Sequence, residues 1–144
     1  MTRDPGCNFC EIAATEEPAR EVLRTDSIVA FFPTNPATLG HTLVVPRDHI
    51  RDIWSLDQAT SHELTDATLK VAHGVKNALN MDGLNIIQSN GEAATQSVFH
   101  LHVHVVPRRS NDDIGRIWPP ATSWSEAAKD SAWERIREAV SELQ

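Results

Sequence analysis

The feature of this sequence that most restricts its fold is a short run in which histidine alternates with apolar residues, Phe99-His100-Leu101-His102-Val103-His104-Val105-Val106. Successive side chains of a β-strand point to opposite faces, so this period of two predicts a strand with an apolar face in a core and three imidazoles on the other face. With seven histidines in 144 residues, three histidines at alternate positions are expected by chance only about 0.02 times per chain. The run therefore indicates a functional site as well as a strand.

Other segments predict the elements that surround this strand. Short apolar or β-branched runs predict four more strands at residues 21–24, 27–32, 41–45 and 84–89, with the first two paired as a hairpin about Thr25-Asp26. A three- and four-residue spacing of apolar side chains predicts a long helix from Ser55 to about Asn80, with Ser55 and Gln58 as a capping box. We therefore expect an α+β domain with a five-stranded antiparallel sheet.

Two further helical segments are predicted at the ends of the chain. A short helical turn is expected from Phe9 to Ala14. A C-terminal helix is expected where an apolar stripe recurs, with Ser123 and Glu126 as its cap. The stripe consists of Trp133, Ile136, Val140 and Leu143.

Composition excludes several classes of protein. A net charge of -7 disfavours general binding to nucleic-acid polymers, and no apolar run approaches the length of a membrane span. The first residues have no signal-peptide pattern, and two cysteines are too few for a disulfide framework. We therefore expect a cytoplasmic protein without a membrane or nucleic-acid partner.

The three histidines predict phosphorus chemistry. Neighbouring imidazoles disfavour each other's protonation, so at least one ring is expected to be neutral and nucleophilic near pH 7, while another can donate a proton. A neutral ring nitrogen can attack phosphorus and form a covalent intermediate. Asn90, Gln96 and Ser97 lie in the preceding loop, from which their polar groups could bind phosphate oxygens. The alternative that Asn90-Gly91 is simply a turn remains open.

The segment from Gln96 to Val106 resembles the signature of the histidine triad (HIT) superfamily, His-x-His-x-His-x-x with apolar x and a Gln-x-Val-x lead-in. Further matches at residues 7–10, 40–46, 90–91 and 107–108 extend the resemblance over about residues 7–109. It implies a single HIT domain over residues 1–144, with residues 110–144 as a C-terminal extension that contains a helix. It also implies a half-barrel protomer that forms a homodimer by joining two sheets.

This resemblance implies a hydrolase or transferase that acts at the α-phosphate of a purine nucleotide, whether a phosphoramidate, an acyl-nucleotide or a dinucleoside polyphosphate. His102 would be the nucleophile, transiently nucleotidylated before water releases the nucleoside monophosphate. The remaining catalytic histidines would be His41, His100 and His104. The nucleotide would also contact Asn90, Gln96 and Ser97 at its phosphate and leaving group, and Ile28 and Phe31 at its base.

The resemblance extends to members of the family that carry zinc. In those members a C-x-x-C pair is joined by a histidine after the third strand and by the first triad histidine, which correspond here to Cys7, Cys10, His49 and His100. Two thiolates and two imidazoles complete a tetrahedral shell, so the zinc would be structural. His62 and His73, on the long helix, are expected to be ordinary surface histidines.

Two positions depart from the family pattern and keep other functions open. Pro33 stands where many members have an Asp that binds the ribose, and Thr95 stands where a Gly commonly precedes the Gln. A side chain at position 95 would narrow the phosphate pocket or require a changed backbone angle. One alternative is therefore a nucleotide-binding or scaffold protein with little turnover. Another is a metallohydrolase in which the three triad histidines hold a catalytic zinc.

Overall fold

The computed structural model of the chain describes residues 1–15 and 19–143. The described residues form an α+β fold, which confirms the predicted fold class. In chain order the elements are α1 (Asn8–Ala14), β1 (Glu21–Arg24), β2 (Ile28–Phe31), β3 (Thr42–Pro46), α2 (Gln58–Ala78), β4 (Gly83–Gln88), β5 (Val103–Arg108) and α3 (Glu126–Ser141). Short 3-10 turns occur at Ile53–Ser55 and Glu92–Ala94.

The five strands form one antiparallel sheet in the order β1-β2-β3-β5-β4. The predicted hairpin of β1 and β2 is confirmed. Strand β5 lies between β3 and β4, and its His104 is opposite Leu43 on one side and Ile87 on the other. Strands β1 and β4 are the two edges of the sheet.

Each face of the sheet is covered by a different helix. Ile28, Val44 and Val105 belong to a core that includes the buried face of α2. The intervening residues, such as Phe31 and Leu43, belong to a second core that includes Ala13 of α1. This alternation follows from the period of two in a strand. Its consequence is that His104, directly opposite Leu43, lies on the α1 side of the sheet.

Helix α2 begins later than the predicted capping box requires. Its N-cap is Asp57, whose carboxylate accepts a hydrogen bond from the backbone N–H of Thr60 at 2.9 Å. Ser55 instead ends the preceding 3-10 turn, where its own N–H is bound by Asp52. The capping-box prediction is therefore wrong, because a carboxylate nearer the first turn satisfies the free N–H groups.

Strand β5 is shorter than the predicted strand at residues 99–106. It begins at Val103, so His100 and His102 precede it. The N–H of Leu101 donates to the carbonyl of Ile50 at 2.6 Å and not to a neighbouring strand. The alternation of side chains nevertheless continues through this segment, since Leu101 is fully buried in the α2-side core.

The chain divides into two compact units, residues 1–113 and 114–144. In the second unit, α3 is capped by Ser125, whose hydroxyl accepts from the N–H of Ala128 at 3.1 Å, so the predicted cap at Ser123 is wrong. Leu143 lies beyond the end of this helix. Among the described residues, no helix combines the length and the apolar character that crossing a membrane requires.

Candidate functional site

Three imidazoles gather on the α1 side of the sheet at the start of β5. The ring centroids of His102 and His104 are 4.8 Å apart, and those of His41 and His104 are 5.1 Å apart. His41 immediately precedes β3, the strand next to β5. His100 does not join this group, because its Nδ1 atom faces the thiols of Cys7 and Cys10. The triad of the sequence is thus divided between two adjacent sites.

The hydrogen bond of His102 determines which of its nitrogens is free to react. Its Nδ1 lies 2.7 Å from the carbonyl oxygen of His100. A carbonyl oxygen can only accept, so Nδ1 carries the proton and Nε2 of the neutral ring carries a lone pair. The backbone of one triad histidine therefore sets the tautomer of the next.

A second chain of hydrogen bonds sets the tautomers of His41 and His104. The backbone N–H of Ala37 donates to His41 Nδ1 at 3.0 Å, so the proton of His41 is on Nε2. That Nε2 lies 2.9 Å from His104 Nδ1, which must accept. The neutral His104 ring therefore carries its proton on Nε2. The site combines one ring nitrogen with a lone pair and one with a proton to donate.

Burial keeps these rings neutral. Desolvation lowers the pKa of His41, of His102 and, to about 4, of His104, because burial disfavours the charged imidazolium. The positive charge that a neighbouring imidazole would carry lowers the pKa of His41 and His104 further. The expectation from the sequence that at least one ring is neutral near pH 7 agrees with these shifts, although burial contributes more to them than the neighbouring rings do.

In the loop before the triad, two amide side chains form hydrogen bonds that hold the loop in place. Gln96 is buried, accepts from the N–H of Gly91 at 2.8 Å and donates to the carbonyl of Arg51 at 2.9 Å. Asn90 accepts from the N–H of Ile53 at 2.7 Å and exchanges hydrogen bonds with the side chain of Gln88. These two amides hold the loop shape, whereas Ser97 is exposed.

Thr95 adopts a left-handed backbone conformation, with φ 71° and ψ 18°. Glycine adopts this conformation readily, so position 95 has a glycine-type backbone angle although it carries a threonine side chain, and the changed angle expected from the sequence is not seen. It places Thr95 at the end of the 3-10 turn, directly before Gln96.

The two residues expected near the base lie on opposite faces of the sheet. Phe31 is on the α1 side with the triad rings, whereas Ile28 is buried in the core beneath α2. Ile28 therefore cannot line a pocket on the triad side, and its expected contact with the base is wrong. The reason is the strand period, since residues three apart in β2 face opposite ways.

Phe9 is a site residue that the sequence analysis did not single out. Its ring lies 5.1 Å from that of His102 at 87° and 5.5 Å from that of Phe31 at 73°, both edge-to-face arrangements. The feature of the sequence that could have indicated Phe9 was its position between the two cysteines. One turn of helix there brings an aromatic ring into the same neighbourhood as the thiols.

The four predicted zinc ligands converge into a possible metal site. The ligand atoms of Cys7, Cys10, His49 and His100 all lie within 4.8 Å of one another. Individual separations are 3.3 Å from Cys10 Sγ to His49 Nδ1, and 3.5 Å from each sulfur to His100 Nδ1. Zn–S and Zn–N bonds of about 2.3 and 2.0 Å in a tetrahedron require edges of about 3.3–3.8 Å. The three sulfur-to-nitrogen separations lie in this range, and two thiols with two imidazoles are donors that zinc binds, so these residues fit a zinc ion.

The surroundings of these ligands also favour a cation. His100 Nε2 lies 2.7 Å from the carbonyl oxygen of Pro46 and so must donate, which leaves a lone pair on Nδ1 towards the thiols. The N–H of Cys10 donates to Cys7 Sγ, and that of Asp4 donates to Cys10 Sγ, both at 3.4 Å. Burial raises the pKa of the Cys10 thiol, a cost that a bound cation would offset.

Comparison with known proteins identifies the family. The HIT domain family matches residues 14–111. This chain belongs to the HIT domain family. It is 35% identical to Protein hit of Bacillus subtilis over 78% of each chain. It is 34% identical to adenosine 5'-monophosphoramidase of Saccharomyces cerevisiae, over 82% of this chain and 73% of that protein.

Solved structures of similar proteins have the same fold. A Streptococcus mutans protein, 34% identical, superposes with a TM-score of 0.88 over 96% of this chain and 87% of that one. A zinc-bound histidine triad family protein of Mycobacterium smegmatis, 31% identical, superposes with a TM-score of 0.71 over 93% of this chain and 97% of that one.

Proposed function

We propose that this HIT protein is a hydrolase or transferase that cleaves a purine nucleotide at its α-phosphate through a nucleotidyl intermediate on His102. The observation that carries the proposal is the hydrogen bond from His102 Nδ1 to the carbonyl of His100, which leaves the Nε2 lone pair for attack. The similarity to a protein named adenosine 5'-monophosphoramidase favours phosphoramidates among the candidate substrates.

The chemistry divides into two displacements. In the first, His102 Nε2 forms a bond to the α-phosphorus, and the bond from phosphorus to the leaving group breaks; that group departs with the electron pair and takes a proton from water. His104 Nε2–H donates a hydrogen bond to a phosphate oxygen and stabilises its developing charge. In the second, water attacks the same phosphorus, the N–P bond breaks, a proton goes to solvent and the nucleoside monophosphate leaves.

The main chain prepares His102 for the first step. Its Nδ1 proton remains hydrogen-bonded to the His100 carbonyl while the ring becomes positively charged on attack. That bond becomes stronger as the ring gains charge, so it favours the intermediate over the ground state. His41 assists indirectly by fixing the tautomer of His104.

A zinc ion held by Cys7, Cys10, His49 and His100 would be structural, because four protein ligands leave no open position for water. A catalytic zinc on the three triad rings is disfavoured by their geometry. Both nitrogens of His100 are engaged away from the other two rings, by the thiols on one side and the Pro46 carbonyl on the other.

We further propose a homodimer in which β4 of two chains pair and join the sheets. Strand β4 is an edge strand whose six residues keep a regular register with β5. Such an edge offers unpaired N–H and carbonyl groups to a second strand.

The test is a screen of adenosine and guanosine phosphoramidates, acyl-nucleotides and dinucleoside polyphosphates, with mass spectrometry for a trapped nucleotidyl adduct. His102→Ala should lose turnover by about 10⁴-fold or more and form no adduct, yet bind nucleoside monophosphate within a few-fold of wild type. His73→Ala removes an exposed histidine of α2 and is the matched control, expected to keep the wild-type rate.

Two results would contradict the proposal. Wild-type turnover in His102→Ala would remove His102 as the nucleophile. Tight nucleotide binding without release of monophosphate from any substrate of the panel would support the binding-protein alternative instead.

A further inference from the structure

The helix that carries the two cysteines also brings an aromatic ring onto the proposed nucleophile. Phe9 lies in the first turn of α1, between Cys7, which caps that helix, and Cys10. Its ring contacts those of His102 at 5.1 Å, Phe31 at 5.5 Å and His100 at 5.9 Å. The ring is thus packed against both the metal ligand and the nucleophile.

The contact with His102 restricts the motion of that imidazole. The two rings are nearly perpendicular, at 87°, an arrangement that aromatic pairs favour. His104 contacts the His102 ring as well, at 4.8 Å and 69°. Because terminal ring torsions have broad, roughly two-fold energy wells, one hydrogen bond at Nδ1 does not by itself exclude a flipped or tilted ring.

Phe9 is itself held by the metal-binding part of the chain. The N–H of Cys10 donates to Cys7 Sγ, which closes the first turn of α1 around Phe9. Ile12 and Ala13, further along α1, pack with Phe31 in the α1-side core. Movement of the cysteines would therefore move the ring that lies against His102.

We propose that Phe9 is a positioning residue that holds the His102 imidazole with Nδ1 on the His100 carbonyl and Nε2 towards the substrate. Through Phe9 the Cys/His metal site would control the geometry of the nucleophile. This inference rests on the proposed function for its effect on turnover, but the orientation of the ring can be measured without any substrate.

The test compares two substitutions. Phe9→Leu removes the aromatic ring and keeps most of the apolar volume, whereas Phe9→Tyr keeps an aromatic ring. Ile12→Ala is the matched control, since it weakens the packing of the same helix and Ile12 belongs to the apolar core on that side. Each zinc-loaded protein would be examined by ¹⁵N NMR of the His102 ring at one fixed pH. Turnover and substrate affinity would be measured separately.

Wild type, Phe9→Tyr and Ile12→Ala should each give a His102 ring with its proton on Nδ1. Phe9→Leu should give averaged ring signals and a kcat lower by about 10- to 100-fold, with KM within about three-fold, because a small misplacement of a reacting group acts on the chemical step. Wild-type protein stripped of metal with a chelator should give the same averaged ring signals.

Three results would overturn the inference. The first is that the Phe9→Leu variant keeps both the His102 ring tautomer and the kcat of the wild type. The second is a rise in KM alone, which would make Phe9 a nucleotide contact. The third is an equal loss in Ile12→Ala, which would assign the effect to general packing of α1. If the wild-type protein cleaved no nucleotide, the proposed function would fail while the ring signals still decided the role of Phe9.

Discussion

Thr95 carries backbone strain at the loop that precedes the triad. A left-handed φ of 71° places the Cβ of an L-residue close to its own carbonyl, at a cost of about 1–2 kcal/mol. Glycine avoids this cost but loses about 0.5–1 kcal/mol of backbone entropy. Thr95→Gly should therefore leave the free energy of unfolding unchanged or raise it by up to about 1.5 kcal/mol.

Chemical denaturation would measure this change, with Thr95→Ala as the control that keeps the penalty of a Cβ. The strain assignment would be rejected if Thr95→Gly lost stability by more than the alanine variant.

His104 should remain neutral well below the pH at which a free imidazole titrates. Burial and the facing imidazoles of His41 and His102 lower its pKa from 6.5 to about 4. Between pH 6.5 and about 4, the unfolded chain binds more protons at His104 than the native chain does. The titration of His104 therefore lowers the free energy of unfolding as the pH falls through this range.

Ring NMR between pH 7 and 4, assigned with His104→Gln, would follow this titration. The free energy of unfolding of wild type, relative to that variant, should decrease over the same range. If the NMR titration of His104 had its midpoint near pH 6.5, desolvation of the ring would be negligible.

At the scale of the elements, the two edge strands differ in their fitness to pair with another sheet. Strand β1 has four residues and an irregular register between Glu21 and Leu23, whereas all six residues of β4 are in regular register. Irregular edges resist further pairing. Ile86 on β4 and Val22 on β1 are each 50% exposed, so the same substitution can be compared at both edges.

Sedimentation velocity should give the mass of a dimer for wild type and for Val22→Lys, and that of a monomer for Ile86→Lys, because a charge in the new strand pair is unfavourable. A dimer that survives in Ile86→Lys but not in Val22→Lys would place the interface at β1.

The elements also differ in how well the sequence predicted them. Helix α2 and strands β1 to β4 follow from local periodicity and turn residues, since burial of one face alone accounts for their patterns. The start of β5 did not follow, because Leu101 N–H is bound by Ile50, fifty-one positions earlier in the chain. The cap of α2 was misplaced for a simpler reason, namely that Ser55 and Asp57 are both good caps and only the observed path of the backbone selects Asp57.

At the scale of the whole molecule, the metal site joins three separate parts of residues 1–113. Cys7 caps α1 and Cys10 lies within it, His49 lies in the connection after β3, and His100 lies in the segment before β5. A ligand that binds only the native state stabilises it by mass action, by about 4 kcal/mol at a concentration a thousand times Kd. Removal of zinc should therefore lower Tm by about 10 °C or more.

Elemental analysis of protein purified without chelator should find one zinc per chain, and thermal unfolding with and without chelator would measure the loss. Cys10→Ser should show the low Tm without chelator, whereas His62→Ala, on the exposed side of α2, should match wild type. A zinc content well below one per chain would contradict the assignment.

By itself the sequence determined the α+β class and the alternation that buries Leu101 and Val105, because these follow from local periodicity. The pairing of the cysteines with His49 and His100, and the place of His41, came from the resemblance to the HIT family. Only the tertiary structure decided that His100 turns to the cysteines while His102 and His104 meet His41, and that Phe9 touches His102. These outcomes depend on contacts between segments up to ninety-three positions apart, and no local pattern encodes them.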